Sequence, residues 1–158
     1  NALASKTLLV IGSGNIGSRV EKYMKAFINV QTFDTINNKL SELTELIKKA
    51  DCISLHIPKS SDNDSFINYD RLALMKDGAI IINTSRGSIV DENALYNEIK
   101  SNRLRAAFDV FWEEPYNGKL KKFHPQRFLM SPHIASTCTE FLKGCRKSLD
   151  ILIKDLSI

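Results

Sequence analysis

The stretch "TLLVIGSGNIGSRVEKYMKAFINVQTFD", residues 7–34, decides the fold class. It opens with a continuous apolar run over 7–12 closed by glycine, the pattern of a buried strand. Ile16, Val20, Tyr23, Met24 and Phe27 then recur at helical spacing over 15–28, and 30–34 reads as a second strand. Between strand and helix lies Gly12-Ser13-Gly14-Asn15-Ile16-Gly17, a GxGxxG arrangement. Three glycines in six residues often mark only a turn, but a strand before and an amphipathic helix after give them a purpose. Gly12 permits the tight turn, Gly14 lets a pyrophosphate approach the backbone, and Gly17 lets the helix pack on the strand. The free N–H groups at the helix start then bind the anion.

Asp34 is the second half of the signal. It ends the second strand, where a carboxylate either turns the chain or accepts hydrogen bonds from an adenosine ribose. With the glycines in the same strand–helix–strand unit, dinucleotide binding is the reading. Asp34 would repel a 2′-phosphate and Thr35-Ile36-Asn37 offers no arginine, so NAD is preferred over NADP. Ser18-Arg19 lacks the lysine that a Walker loop places after Gly17, which disfavours a nucleoside triphosphate site.

Outward from this unit, strand-like and helical patterns keep alternating. Residues 41–50 read as a helix with a capping-box start at Ser41, 51–58 as a strand stopped by Pro58, and 68–75 as a short helix. The run 79–85 is the best candidate for a central strand buried on both faces. Residues 91–102 form a helix with Asp91 near its positive end, 104–110 and 127–131 further strands, and 137–156 a long closing helix. Right-handed crossovers between successive strands then give an α/β fold: a doubly wound, mostly parallel, Rossmann-like sheet in a three-layer αβα sandwich.

Composition excludes several classes. The chain has 158 residues, 43% of them hydrophobic, which suits one domain with a substantial core. A formal charge of +4 is mild, and Lys119, Lys121 and Lys122 read as a solvated loop without aromatic interleaving, so no nucleic-acid partner is expected. No apolar run approaches a membrane span. Cys52, Cys138 and Cys145 show neither CxxC pairing nor metal-ligand spacing, so no metal is predicted. Three scattered thiols suit a reducing, cytoplasmic compartment.

In an open α/β sheet the ligand lies beyond the carboxyl ends of the strands. Those ends carry His56-Ile57-Pro58, Asn83-Thr84-Ser85-Arg86-Gly87, Asp109 with Glu114 close behind, and His133. Each has a dull explanation alone, as a cap, a surface ion pair or a turn. A lone histidine such as His133, after a proline and among small residues, is more often structural than catalytic. Their convergence on one edge weighs the other way.

The blocks "NTSRGSIVDENAL", "AAFDVFWEEP" and "SPHIAST", with GxGxxG and "SLHIP", resemble the D-isomer-specific 2-hydroxyacid dehydrogenase family over nearly the whole chain. The resemblance implies that residues 1–158 are the NAD-binding domain, the substrate domain lying in flanking segments outside this chain. It also implies a homodimer. Arg86 matches the family's substrate arginine, whose planar fork suits the carboxylate of a 2-oxo acid. His133 matches the acid/base and Glu114 its carboxylate partner; Glu113 is the rival, but the family pattern puts the acid directly before the proline. Asp109 resembles the residue holding the nicotinamide carboxamide. Asn15, Ile16, Ile57, Pro58, Thr84, Ser85 and Ser136 match other cofactor contacts, mostly through the backbone. His56 reads as cofactor wall or structural, and His124 as surface. Two departures are visible: the chain between Asp34 and Ser41 is shorter than the family usual, and the stretch from Arg103 to Asp109 is one residue short.

The implied activity is hydride transfer between NAD and a D-2-hydroxy acid or its 2-oxo partner, with a lean toward phosphoglycerate dehydrogenase or hydroxypyruvate reductase-like members. The alternative is a non-catalytic NAD(H)-sensing or corepressor-like binding module on the same fold, since fold alone does not decide function. A Rossmann hydrolase with a structural NAD is a third option, disfavoured by the arginine and "PHIA" blocks. The intact Arg86, Glu114 and His133 set favours the enzyme.

Overall fold

The computed structural model describes residues 3–135, with 138, 139, 143 and 146 beyond them. Six strands run in chain order: β1 (Thr7–Ile11), β2 (Asn29–Phe33), β3 (Cys52–Leu55), β4 (Ile80–Asn83), β5 (Arg105–Phe108) and β6 (Phe128–Met130). Four helices connect them: α1 (Asn15–Met24), α2 (Leu40–Lys49), α3 (Tyr69–Ala73) and α4 (Glu92–Lys100). The strands form one sheet in the order β2-β1-β3-β4-β5-β6, and every pairing is parallel. The chain winds outward from β1 to β2, then returns to place β3 on the other side. The strand order therefore reverses between β1 and β3, where such sheets open a crevice.

Period-2 alternation along β1 explains the layers. Leu8 and Val10 face a small cluster with Ile28 and the α1 residues Val20 and Met24. Leu9 and Ile11 point the other way, into the main core with Leu43 and Ile47 of α2. One strand thus buries apolar side chains on both faces, which requires helices on both, and each fully buried side chain contributes about 1.5–3 kcal/mol. The main core continues through Ile81, Leu95, Phe108 and Phe128, all essentially inaccessible. Asp91 and Asn68 close the N-termini of α4 and α3, accepting the amides of Ala94 and Arg71 at 2.8 and 3.0 Å.

The predicted elements shift in four places. The strand read as buried on both faces is central, but β4 is buried on one face only: Ile81 and Asn83 are inaccessible while Ile80 is exposed and Ile82 half-buried. The capping box at Ser41 does not form: α2 begins at Leu40, its N-cap is Lys39, and no side chain caps it. The reason lies just upstream, where Asn38 Oδ1 accepts the Asp34 amide at 2.9 Å and the turn delivers the chain into the helix before Ser41 is reached. Helix α1 ends at Met24 rather than near 28, because the Phe27 and Ile28 amides turn back to the Met24 carbonyl and drop Ile28 into the core. Lys119–Phe123 is a 3-10 helix and not an irregular loop, with Lys119, Lys121 and Lys122 exposed as expected. Leu120 and Phe123 are buried beneath it, and the Lys119 and Lys122 ammonium groups lie over the Tyr96 ring. The segment 137–156 read as a closing helix lies, but for a few positions, outside the described residues, as does Cys145.

Cys52 opens β3 half-buried, and burial pushes its thiol up to about 11, which suits an inert packing residue. Among the described residues no helix is long and apolar enough to cross a membrane.

Candidate active site

The sheet brings every predicted cluster among the described residues to its carboxyl edge. At the switch between β1 and β3, the His56 amide donates to the Ile11 carbonyl at 2.7 Å and the Gly12 amide to that of Phe33 at 2.8 Å. Gly12 sits at φ +100°, and a β-carbon there would meet the His56 carbonyl oxygen at 2.6 Å. The position therefore excludes other residues on both conformational and steric grounds. A β-carbon at Gly17 would overlap the Gly12 carbonyl oxygen, so α1 approaches the loop closely only because that residue has no side chain. At Gly14 the corresponding space is open.

That space belongs to a cleft of about 510 Å³ lined by Gly14, Asn15 and Ile16 on one side, His56–Lys59 below, and Thr84–Arg86 on the other. No acid occupies the first turn of α1 and no side chain caps it, so its positive end faces the cleft uncompensated. Asp34 stands beside the loop, with Oδ2 accepting the Ser13 amide at 3.1 Å and Oδ1 that of Ile36 at 2.9 Å. It ties β2 to the glycine loop and keeps lone pairs for a diol. Ile57 is buried, so it offers the cleft mainly its backbone. His56 takes the wall position: its Nε2 lies 2.9 Å from Ser54 Oγ, and burial lowers its pKa. An open glycine backbone, an uncapped helix start and a strand-end carboxylate together fit the pyrophosphate and ribose of a dinucleotide.

The loop after β4 is organised by Asn83, whose signal in the sequence was a lone amide ending the run Ile80-Ile81-Ile82. It is fully buried; Nδ2 donates to the Arg86 carbonyl at 2.8 Å and Oδ1 accepts the Ser85 amide at 3.0 Å. Ser85 Oγ reaches back to the Leu55 carbonyl at 2.7 Å. The exposed Arg86 gives one guanidinium nitrogen to the Ser85 carbonyl at 2.6 Å and lines the cleft.

His133 and Glu114 meet. The imidazole Nδ1 lies 2.9 Å from both carboxylate oxygens, and Phe111 N–H supports Oε1 at 3.2 Å. The hydrogen bond from His133 holds the Glu114 carboxyl below its ordinary range, helped by the Phe111 amide and by the charges of His133 and Arg86. Glu113 makes no such contact, so the choice between the two acids falls on Glu114. With Nδ1 engaged, Nε2 is the ring nitrogen left to exchange a proton. The Glu114 turn is itself pinned: Phe111 stacks on Tyr116 at 5.1 Å, and Trp112 Nε1 donates to the Val90 carbonyl at 2.7 Å. Gly87 fits against this turn so closely that a β-carbon would overlap the Phe111 carbonyl and the Trp112 nitrogen. The Arg86 loop and the Glu114 turn are thereby locked together.

The model of the "D-isomer specific 2-hydroxyacid dehydrogenase, NAD binding domain" family matches residues 1–135. The chain belongs to that family. It is 37% identical over 148 residues to a hydroxypyruvate reductase of Thermotoga maritima, covering 87% of this chain and 48% of the relative. It is 42% identical over 125 residues to a D-3-phosphoglycerate dehydrogenase of Methanocaldococcus jannaschii, covering 72% and 24%. Among solved structures, a D-lactate dehydrogenase from Aquifex aeolicus complexed with NAD and lactic acid superposes with a TM-score of 0.81 at 33% identity, covering 96% of this chain and 53% of that one. The chain thus spans about half or less of the length of these relatives. As an NAD-binding domain of the family it has a Rossmann-like fold.

The family resemblance points to Asp109 for the cofactor, and the structure places its carboxylate on the segment that bears His133. Its Oδ1 accepts Ser131 Oγ at 2.6 Å and the His133 amide at 3.0 Å. Ser131 carried no assignment, and only its place two residues before His133 could have drawn attention to it. His124 is exposed as expected, yet its Nδ1 accepts the Met130 amide at 3.2 Å and steadies the end of β6. Ser136 lies outside the described residues.

Proposed function

We propose that this chain is the cofactor-binding half of an NAD-dependent oxidoreductase that interconverts a D-2-hydroxy acid and its 2-oxo acid, with hydroxypyruvate, glycerate or 3-phosphoglycerate as the first candidates. The observation that carries the reading is the two-oxygen contact of Glu114 with His133 Nδ1, on the same sheet edge as the exposed Arg86 that lines the cleft. NAD, when bound, supplies or accepts the hydride. Gly12, Gly14, Asn15, Ile16 and Gly17 hold its pyrophosphate, Asp34 its ribose, Asp109 its carboxamide, and Ile57, Pro58, Thr84 and Ser85 line its path.

Arg86 grips the substrate carboxylate and aligns the carbonyl carbon. His133 donates from Nε2 to the carbonyl oxygen in reduction and accepts that proton in oxidation, while Glu114 fixes the ring at Nδ1. Asp34 disfavours a 2′-phosphate, which selects NAD over NADP. The substrate domain resides outside residues 1–158, and the working protein is a cytoplasmic homodimer.

The test is NADH oxidation by the full-length protein on a panel of 2-oxo acids, with His133→Gln and Arg86→Gln alongside. Turnover of at least one acid, lost in His133→Gln while NADH still binds, is the expected result. Tight NADH binding without turnover on any acid would instead mark a sensing or corepressor-like module.

A further inference from the structure

His133 is one of three non-glycine residues described at positive φ, at +51°. L-residues rarely adopt this region, and such a conformation persists only where the surroundings over-determine it. Here the surroundings are specific. The His133 amide donates to Asp109 Oδ1 at 3.0 Å, and Ser131 Oγ donates to the same oxygen at 2.6 Å. The Ser131 amide is fixed to the Phe108 carbonyl at the end of β5 at 3.0 Å, and the Asp109 amide to the Asn83 carbonyl at the end of β4 at 3.0 Å. Ser131 also precedes Pro132, which restricts it to extended backbone. Two donors on one oxygen settle the orientation of the carboxylate, and the short Ser131 bond is the one that does not involve the strained residue.

We propose that Ser131 is a positioning residue for His133 that works through Asp109: its hydroxyl anchors the carboxylate oxygen that holds the His133 backbone in its left-handed conformation. The backbone and the ring are then fixed separately, by Asp109 at the amide and by Glu114 at Nδ1. Without the hydroxyl, the Asp109 carboxylate rotates more freely and the amide loses a fixed acceptor. φ then relaxes toward negative values, and Nε2 leaves the line of proton transfer. Ser131 touches neither cofactor nor substrate in this scheme and reaches the cofactor only through the one Asp109 contact, so its loss falls mainly on the chemical step.

The inference rests on the proposed dehydrogenase activity for its kinetic arm and is independent of it for its structural arm. In the full-length protein Ser131→Ala should lower kcat on the order of 10-fold to 100-fold, the penalty for a misplacement of about 1 Å. The dissociation constant for NADH should rise less than kcat falls, by no more than roughly fivefold, about 1 kcal/mol, because only the Asp109 contact with the carboxamide is loosened. Ser131→Thr, which keeps the hydroxyl, should restore most of the rate. In the structural arm, the His133 amide proton, bound to a carboxylate, resonates downfield and exchanges slowly in the wild type. In Ser131→Ala it should move upfield and exchange faster, with the melting temperature held. Unchanged kcat and an unchanged His133 amide in Ser131→Ala would overturn the proposal, as would equal losses in the Ala and Thr variants. If the wild type turns over no 2-oxo acid, the dehydrogenase reading fails and the amide measurement still decides the role of Ser131.

Discussion

Gly87→Ala tests whether Arg86 and the His133–Glu114 pair are held at a fixed separation. The position has no positive φ, so alanine meets no conformational objection; the obstacle is purely steric. A β-carbon there would overlap the Phe111 carbonyl carbon and oxygen and the Trp112 nitrogen. All three are backbone atoms, so no side-chain rotation relieves the clash. Reaching ordinary contact at 3.4–4 Å from that overlap with the Phe111 carbonyl carbon requires one of the two segments to retreat by more than about 1 Å. If the loop after β4 moves, Arg86 moves with it. If the 111–114 turn moves, the Phe111 amide drags Glu114, and Glu114 drags the His133 ring. Either way the distance from carboxylate grip to proton donor changes by about an ångström or more, which costs on the order of 100-fold in rate.

Overpacking costs about 1–3 kcal/mol, and the smaller unfolded-state entropy of alanine returns about 0.4–1 kcal/mol. The net lowers the melting temperature by about 2–8 °C for a domain of this size. NADH affinity, set at the glycine loop and Asp34, should change less than roughly threefold, about 0.65 kcal/mol. The assay is kcat/KM of the full-length protein on whichever 2-oxo acid it reduces, with NADH titration and thermal melts alongside. A kcat/KM within threefold of wild type at an unchanged melting temperature would refute the reasoning.

Phe128→Ala removes a fully buried ring packed on Phe108, Phe111 and Tyr116, and should cost about 3–5 kcal/mol. A melting temperature lowered by less than about 3 °C would contradict that packing. Because the His133 hydrogen bond depresses the Glu114 carboxyl, the pair contributes stability present above the unfolded value near 4.5 and lost as pH falls through the lower folded value. The melting-temperature gap between wild type and Glu114→Gln should therefore be open near neutral pH and close in acid; a gap independent of pH would exclude this linkage. The isolated 158-residue chain should bind NADH by fluorescence titration yet turn over 2-oxo acids barely, since productive geometry needs a closing second domain. Efficient turnover by the fragment would show that no second domain is needed.

The fold was legible because its signals are local and repeated. Apolar runs of strand length closed by Gly12, Pro58 or Asn83 alternate with helical periodicity, and the rule of right-handed crossovers turns that alternation into one sheet. What escaped are features set by contacts across the chain. Ser41 satisfies a local capping rule, but Asn38 and Asp34 start the helix earlier through a turn that no periodicity shows. The Lys119–Lys122 segment reads as a loop because charge is visible in a sequence, while the burial of Leu120 and Phe123 and the ring of Tyr96, 23 residues upstream of Lys119, are not. In the site, the groups that carry chemistry stand out by residue type: an arginine, a histidine and a carboxylate beside proline. The groups that position them do not. Asn83 and Ser131 are ordinary residues until the sheet brings β4, β5 and β6 side by side.

That difference says how the site is built. Asn83 holds the Arg86 carbonyl with its side chain and receives the Asp109 amide on its backbone carbonyl. Asp109 holds the His133 amide, and Phe108 next to it receives the amide of Ser131. Each link runs between the ends of neighbouring strands, so the arginine and the histidine are joined by a hydrogen-bonded chain that crosses β4, β5 and β6 along the sheet edge. Their separation is therefore fixed by strand register and not by the length of the loops that bear them. Register is strongly specified here because one face of these strands is buried, and a one-residue slip would turn the whole apolar row of Ile81, Ala106 and Phe128 away from the core. The same burial that stabilises the domain therefore sets the spacing between the arginine and histidine side chains.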